Sequence, residues 1–261
     1  EQFRKADDPA FELDLARRFV SGKLHNCRVL LRRQLRRNPS RQLERAIHRL
    51  RSSSNRLPQA ATLDEVRGLE GAGAAAYFEM LGQHLVPEPF RFNQRTRRPP
   101  RDPFNALLSF GYAMLLGTVS TAVQVVGLDP YLGSLHSADV GKPSLVLDLM
   151  EEFRPLLVDA VALRVVRRRQ FSLDDFQLQP EVALPEGLEE DEAPALEDYP
   201  VLLSRDGRRK WITAYETTLR EACLYPRFGT QLTHRQICLE QARLLARHVK
   251  GEEAYEAFTV R

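Results

Sequence analysis

The sequence predicts an all-α fold, on three observations. Apolar residues recur at helical spacing over 11–37, 62–81, 144–166, 208–224 and 233–249. The stretch from Phe104 to Val126 is apolar almost all round, as in a helix at the centre of a domain core. Strand signals amount to at most one short strand, within 172–200. A chain of 261 residues can bury a sizeable core, and we expect one helical domain over 1–261.

In chain order, Phe11 to Arg37 forms the first amphipathic helix. Leu15, Phe19, Val20, Leu24, Leu31 and Leu35 make its apolar stripe, with Arg28, Arg32, Arg33, Arg36 and Arg37 among them. Asn38-Pro39-Ser40 breaks it, and Ser40 caps a second basic helix containing Arg41, Arg45 and Arg49. From Arg17 to Arg56, twelve Arg and one Lys face a single acid, Glu44, a local net charge of +12. Guanidinium groups bind phosphate bidentately, so a run this one-sided fits a nucleic-acid backbone. A merely solubilising face would mix signs.

A third helix opens at Thr62, with Glu65 at capping-box spacing. It runs through Leu63, Val66, Leu69, Tyr77, Phe78 and Leu81 around a Gly/Ala segment, 71–76, that lets a neighbour approach closely. Glu70 stands directly before that segment. Residues 87–103 are a proline-broken loop carrying Arg91, Arg95, Arg97, Arg98 and Arg101 without an acid between them, suited to holding a phosphate backbone. In the apolar helix that follows, Asn105, Ser109 and Tyr112 need internal partners.

The chain is organised around Pro130-Tyr131-Leu132-Gly133-Ser134-Leu135-His136 and the helix that starts at Ser144. Asp148 and Glu151 lie three apart, on one helical face among Val146, Leu147 and Met150. Acids there are costly to bury unless a cation meets them. A divalent ion would serve, with His136 as a nitrogen ligand; a solvated acidic stripe beside a loop histidine is the plainer alternative. The helix crosses Pro155 and leaves through Arg164, Arg167, Arg168 and Arg169.

Residues 172–206 are expected to be a flexible acidic insert, with seven acids and no base in 186–198. Without those seven, the rest of the chain carries +10 rather than the overall +3. Cys27, Cys223 and Cys238 form no pair motif. No uninterrupted apolar run reaches the ~18–20 residues of a membrane span, and no secretory signal opens the chain, so a cytoplasmic location is expected. Because the first residue is Glu1, we expect a fragment of a longer protein.

Several motifs together resemble the CRISPR-associated integrase family, the catalytic subunit of spacer acquisition. They are Gly68-Leu69-Glu70-Gly71 with the following Ala74–Phe78, the run Arg98–Tyr112, Gly127-Leu128-Asp129-Pro130-Tyr131-Leu132-Gly133, Leu147–Pro155, and His234–Ala242. They occur in the family's order and span most of the chain. The resemblance implies an all-helical catalytic domain, preceded in the family by a β-rich domain that builds a homodimer. Here that domain is missing, which makes residues 1–10 a linker.

The family's metal triad carries over as Glu70, His136 and Glu151, with Asp148, Asn105 and Tyr112 as neighbours that brace the ligands. It implies Mg²⁺ or Mn²⁺, Mn²⁺ tolerating the nitrogen better. The implied reaction is attack by the 3′-hydroxyl of a captured fragment on a phosphodiester at the edge of a CRISPR repeat. The same site can resolve branched DNA or act as a nuclease with water. Implied partners are double-stranded DNA with 3′ overhangs, CRISPR repeat DNA, a second copy of the chain and a small ferredoxin-like adaptation subunit. An iron–sulfur exonuclease, fused or separate, is another, though these three cysteines cannot hold its cluster. Candidate DNA contacts are Arg28, Arg32, Arg41, Arg45, Arg97, Arg98, Arg101 and Lys142. The competing readings are a catalytically silent nucleic-acid-binding module and a scaffold that docks partners through the acidic insert.

Overall fold

The stripes read in the sequence become helices with identifiable caps in the computed structural model, which describes residues 1–136, 141–178 and 200–261. A short helix, α1 (Gln2–Ala6), precedes α2 (Pro9–Arg37). Asp8 starts α2 by accepting the N–H of Ala10 and of Phe11 at 3.0 and 3.2 Å, and Pro9 occupies a first-turn position that needs no donor. Residues 1–10, expected as a linker, are therefore mostly helical. The Gln2 amide ties them down, donating to the Asp129 carbonyl at 3.0 Å and accepting its N–H at 2.7 Å.

Next come α3 (Arg41–Arg56), α4 (Leu63–Met80) and α5 (Pro103–Val125). Thr62 caps α4 by accepting the Glu65 N–H at 3.2 Å, as the spacing predicts, while the Glu65 carboxylate turns to the Ala61 N–H. Averaged over its length, α5 is apolar and long enough to cross a membrane, the one such helix among the described residues. Its side chains Phe104, Leu107, Leu108, Leu115, Val119 and Val123 are buried instead in the protein core.

The helix predicted over 144–166 is broken into pieces. α6 (Ser144–Leu149) tightens into a 3₁₀ turn, Met150–Glu152, then widens into a π turn, Arg154–Asp159, before α7 (Ala160–Arg167). Pro155 has no N–H to continue the ladder, and the register change falls around it. The consequence is functional: Glu151 and Glu152, adjacent in sequence, serve different surroundings.

β1 (Phe176–Leu178) pairs antiparallel with β2 (Val201–Leu203), Phe176 opposite Leu203. The described ends of the expected 172–206 insert are thus a 3₁₀ turn at Leu173–Asp175, this ribbon, and the start of α8 (Arg205–Arg220). The acidic run 186–198 lies outside the described residues. The helix expected to reach residue 224 stops at Arg220, because Ala222–Tyr225 (β3) joins Thr230–Thr233 (β4) in a hairpin turned by Pro226 and Gly229. α9 (His234–Val249) opens with a Thr233–Gln236 capping box.

α2, α3 and α4 pack side by side, and α5 lies against α6, α7, α9 and the π turn. Phe19, Phe104, Phe153, Trp211 and Tyr215 fill the centre. The segment after α9 returns across α2. Gly22 permits the approach, since a Cβ there would fall 2.5 Å from the Ala257 Cβ. Asn26 staples the crossing: its amide donates to the Phe258 and Glu152 carbonyls, both at 2.8 Å, and accepts the Val260 N–H at 3.1 Å.

Candidate active site

Asp148 shapes the loop that ends in His136. Gly133 brings that loop so near α6 that a Cβ would stand 2.7 Å from the Ser144 Cβ and 2.9 Å from Asp148 Oδ2. The fully buried Asp148 carboxylate then accepts the backbone N–H of Ser134, Leu135 and His136 at 2.6, 2.9 and 3.0 Å. Its Oδ1 also lies 2.6 Å from His136 Nδ1. That contact places the ring proton on Nδ1 and leaves Nε2 as the free electron-pair donor. Nε2 stands 3.9 Å from Glu151 Oε1.

A cavity of about 270 Å³ opens beside these groups, with Glu70, Glu151, His136, Lys23, Tyr112 and Arg154 among its walls. Lys23 of α2 forms ion pairs with Glu70 of α4 and, at 2.6 Å, with Glu151 Oε2. Arg154 Nε lies 3.1 Å from Glu151 Oε1. Burial alone would raise the Glu151 carboxyl, but Arg154 and Lys23 hold it down at about 2. Burial likewise opposes the charge on Lys23, and Glu151 and Glu70 more than restore it.

Two carboxylates from separate elements thus converge on one cation, with an imidazole nitrogen beside them. The donor types suit Mg²⁺ or Mn²⁺. As arranged, no three Asp, Glu, His or Cys side chains among the described residues are grouped to hold a metal ion. The Lys23 ammonium takes the position the two carboxylates share.

The remaining predicted residues divide. Tyr112 borders the cavity, donates its hydroxyl to Asp159 Oδ1 at 2.6 Å, and carries the Arg154 and Arg95 guanidiniums at 4.8 and 5.4 Å from its ring centre. Asp159 also accepts the Tyr77 hydroxyl at 2.9 Å; burial, opposed by these two hydrogen bonds, lifts its carboxyl to about 6. Asn105, expected beside the carboxylates, instead pins the basic loop. It accepts from Arg95 at 2.8 Å and donates to the Gln94 carbonyl at 2.9 Å, so it reaches the cavity only through Arg95.

Arg97 and Lys142 border the cavity, and Arg97, Arg98 and Arg101 line an adjoining cleft of about 800 Å³. Arg32, Arg41 and Arg45 are exposed on α2 and α3, and Arg28 is half-buried; none of these four borders either space. Sequence reasoning missed Lys23, Arg154 and Asp159 as parts of the site, and placed Arg95 only in the phosphate-holding loop. Lys23 did carry a signal: Phe19, Lys23 and Cys27 share one helical face, and a charge in the middle of an apolar stripe asks for a buried partner.

Glu152 turns the other way. Its carboxylate accepts from Gln241 Nε2 (2.9 Å), Tyr255 Oη (2.9 Å) and the Phe258 N–H (3.1 Å). Burial outweighs these donors and raises its carboxyl from 4.5 to about 8. A folded-state value above the unfolded one means the native state holds the extra proton. Stability from this group is therefore complete below about pH 4.5 and is lost as pH climbs towards about 8. Melting temperatures from pH 5 to 9 should fall across this window, and Glu152→Gln should flatten the decline.

The sequence profile of CRISPR associated protein Cas1 matches residues 1–217. A CRISPR-associated endonuclease Cas1 of Thermus thermophilus is 40% identical over 261 residues, covering 100% of this chain and 70% of that protein. A CRISPR-associated exonuclease Cas4/endonuclease Cas1 fusion of Geobacter sulfurreducens is 34% identical over 100% of this chain and 45% of its own length. Among solved structures, a chain of a Cas6-RT-Cas1–Cas2 complex superposes with a TM-score of 0.82 at 26% identity, covering 100% of this chain and 26% of that one. The predominantly helical fold, with only short strands, accords with these likenesses, and the chain belongs to the CRISPR-associated Cas1 family.

Proposed function

We propose that the chain is a divalent-metal-dependent DNA integrase and endonuclease that inserts foreign DNA fragments into a CRISPR array. The observation that carries this reading is the meeting of Glu70, Glu151 and His136 at one cavity whose walls also include Arg67, Arg95, Arg97, Lys142 and Arg154. Glu70, His136 and Glu151 would hold Mg²⁺ or Mn²⁺. Bound there, the ion would activate the scissile phosphate and stabilise charge on the attacking or departing oxygen. Asp148 keeps His136 in the tautomer that faces the cavity. Arg154 and Arg95, stacked on Tyr112, orient the reacting phosphate for attack by a fragment 3′-hydroxyl. Arg97, Arg98, Arg101, Lys142 and the α2–α3 residues Arg28, Arg32, Arg41 and Arg45 hold DNA backbone, which fixes position without reading sequence.

The DNA partners in this reading are a fragment with 3′ overhangs and the CRISPR repeat. The protein partners are a second copy of the chain, a small Cas2-type adaptation subunit and a Cas4-type exonuclease. The last two are supported by the composition of the similar complex and of the similar fusion.

The test is disintegration of a labelled branched DNA in Mn²⁺, in Mg²⁺ and in EDTA. Cleavage with either ion and none in EDTA is expected, with DNA binding present throughout. Binding without cleavage under every condition would move the reading to a silent nucleic-acid-binding module. Affinity should fall about 10³-fold or more between roughly 50 and 200 mM salt, the scale for neutralising six or more phosphates. Replacing Arg32, Arg41 and Arg45 together by Ala should lower the log–log salt slope by about one for each phosphate left without its arginine.

A further inference from the structure

The cavity contains a cation that neither the proposed ligands nor the DNA surface accounts for. Lys23 lies midway along α2 between the buried Phe19 and Cys27 and is itself only 9% exposed. Both of its ion-pair partners are proposed metal ligands, Glu70 and Glu151. Glu151 Oε2 is buried without an aligned hydrogen bond, although the Lys23 Nζ is 2.6 Å away. The pairing is held by charge rather than by directional bonding, so a cation of higher charge can replace it.

Two carboxylates facing one small cavity repel each other and swing apart unless something positive stands between them. We propose that Lys23 is a positioning residue whose ammonium occupies the cation position shared by Glu70 and Glu151, so that a divalent ion binds by displacing it. The inference rests on the metal-dependent reading above and adds a cost to ion entry that the ligand set alone would not impose. Before the ion arrives, Lys23 keeps the carboxylates converged. Afterwards its freed ammonium remains in a cavity open to a phosphate.

Mn²⁺ affinity, read by electron paramagnetic resonance, tests this without any DNA reaction. Lys23→Met removes the charge and nearly keeps the length. It should bind Mn²⁺ at least about tenfold more tightly than the parent, roughly 1.4 kcal/mol, while Lys23→Arg should stay within about threefold of it. Thermal melts establish first that both variants fold.

A second measurement uses the unmodified protein. It has only five lysines, so acetic anhydride labelling can be read at each by mass spectrometry. Labelling of Lys23 should be slow without metal and rise severalfold with Mn²⁺, with Lys210 and Lys250 unchanged. If the parent binds Mn²⁺ but Lys23→Met binds it no more tightly, the inference falls alone. Lys23 labelling that ignores Mn²⁺ has the same meaning. A parent that binds no Mn²⁺ removes the metal reading and this inference together.

Discussion

Glu151→Gln is expected to reduce metal-dependent cleavage of branched DNA by about 10²–10³-fold or more, the scale of losing a group that stabilises transition-state charge. The carboxylate sits between Lys23 and Arg154, which keep it ionised at any working pH. Glutamine preserves the shape of the side chain and removes only the charge, so DNA affinity should change little. The same substitution leaves two cations short of their shared counter-charge. The cost approaches the about 3–5 kcal/mol of a broken buried pair, moderated because Glu70 still meets Lys23. Single-turnover cleavage, filter binding and a thermal melt on one preparation separate these effects. A variant that keeps half the parent's cleavage rate would remove Glu151 from the proposed ligands.

Asp148→Ala should be the most destabilising substitution near the site. The carboxylate satisfies three backbone N–H groups and the His136 ring, all with restricted access to water. Each buried donor left without a partner costs about 1–3 kcal/mol, so a loss of at least about 3 kcal/mol in a denaturant melt is expected. With His136 in its proposed role as a metal ligand, activity should fall beyond the share explained by unfolding, since outer partners of such a histidine are typically worth about 10–100-fold. Asp148→Asn offers one acceptor oxygen in place of two, and should recover part of the stability but less of the activity. Equal stability of Asp148→Ala and parent would mean the loop is held by something else.

How much of this was legible in the sequence depends on the range of the interaction. The cap at Thr62, the stripe of α2 and the all-round apolarity of α5 are local patterns, and they read correctly to within a few residues. The hairpin at 222–233 was hidden because Ala222–Leu224 continues the apolar spacing of α8, and only pairing with Thr230–Thr233 decides against helix. The break after Leu149 was visible as Pro155, but its outcome was not. A tight turn followed by a wide one sends Glu151 to the cavity and Glu152 to the tail, and no periodicity encodes that. Glu70 came from motif resemblance, since alone it would pass as a surface acid; His136 was legible beside Asp148 and Glu151 as a nitrogen ligand, with a loop histidine as the plainer alternative. Lys23 and Arg154 act across elements and become meaningful only when α2, α4 and the Glu151 turn are set side by side.

The staple at Asn26 carries a consequence for the order in which the molecule is made. Asn26 leaves the ribosome 232 residues before Phe258, the partner it must meet. Until that segment emerges, Glu152 lacks the Tyr255 and Phe258 donors and the turn that presents Glu151 is unbraced from behind. A nascent chain can therefore wind its helices and begin its core early, yet the brace behind Glu151 forms only once Tyr255, Phe258 and Val260 have emerged. Vectorial synthesis thus delays a firm arrangement of the Glu151–Glu152 turn until that segment is free to close on it.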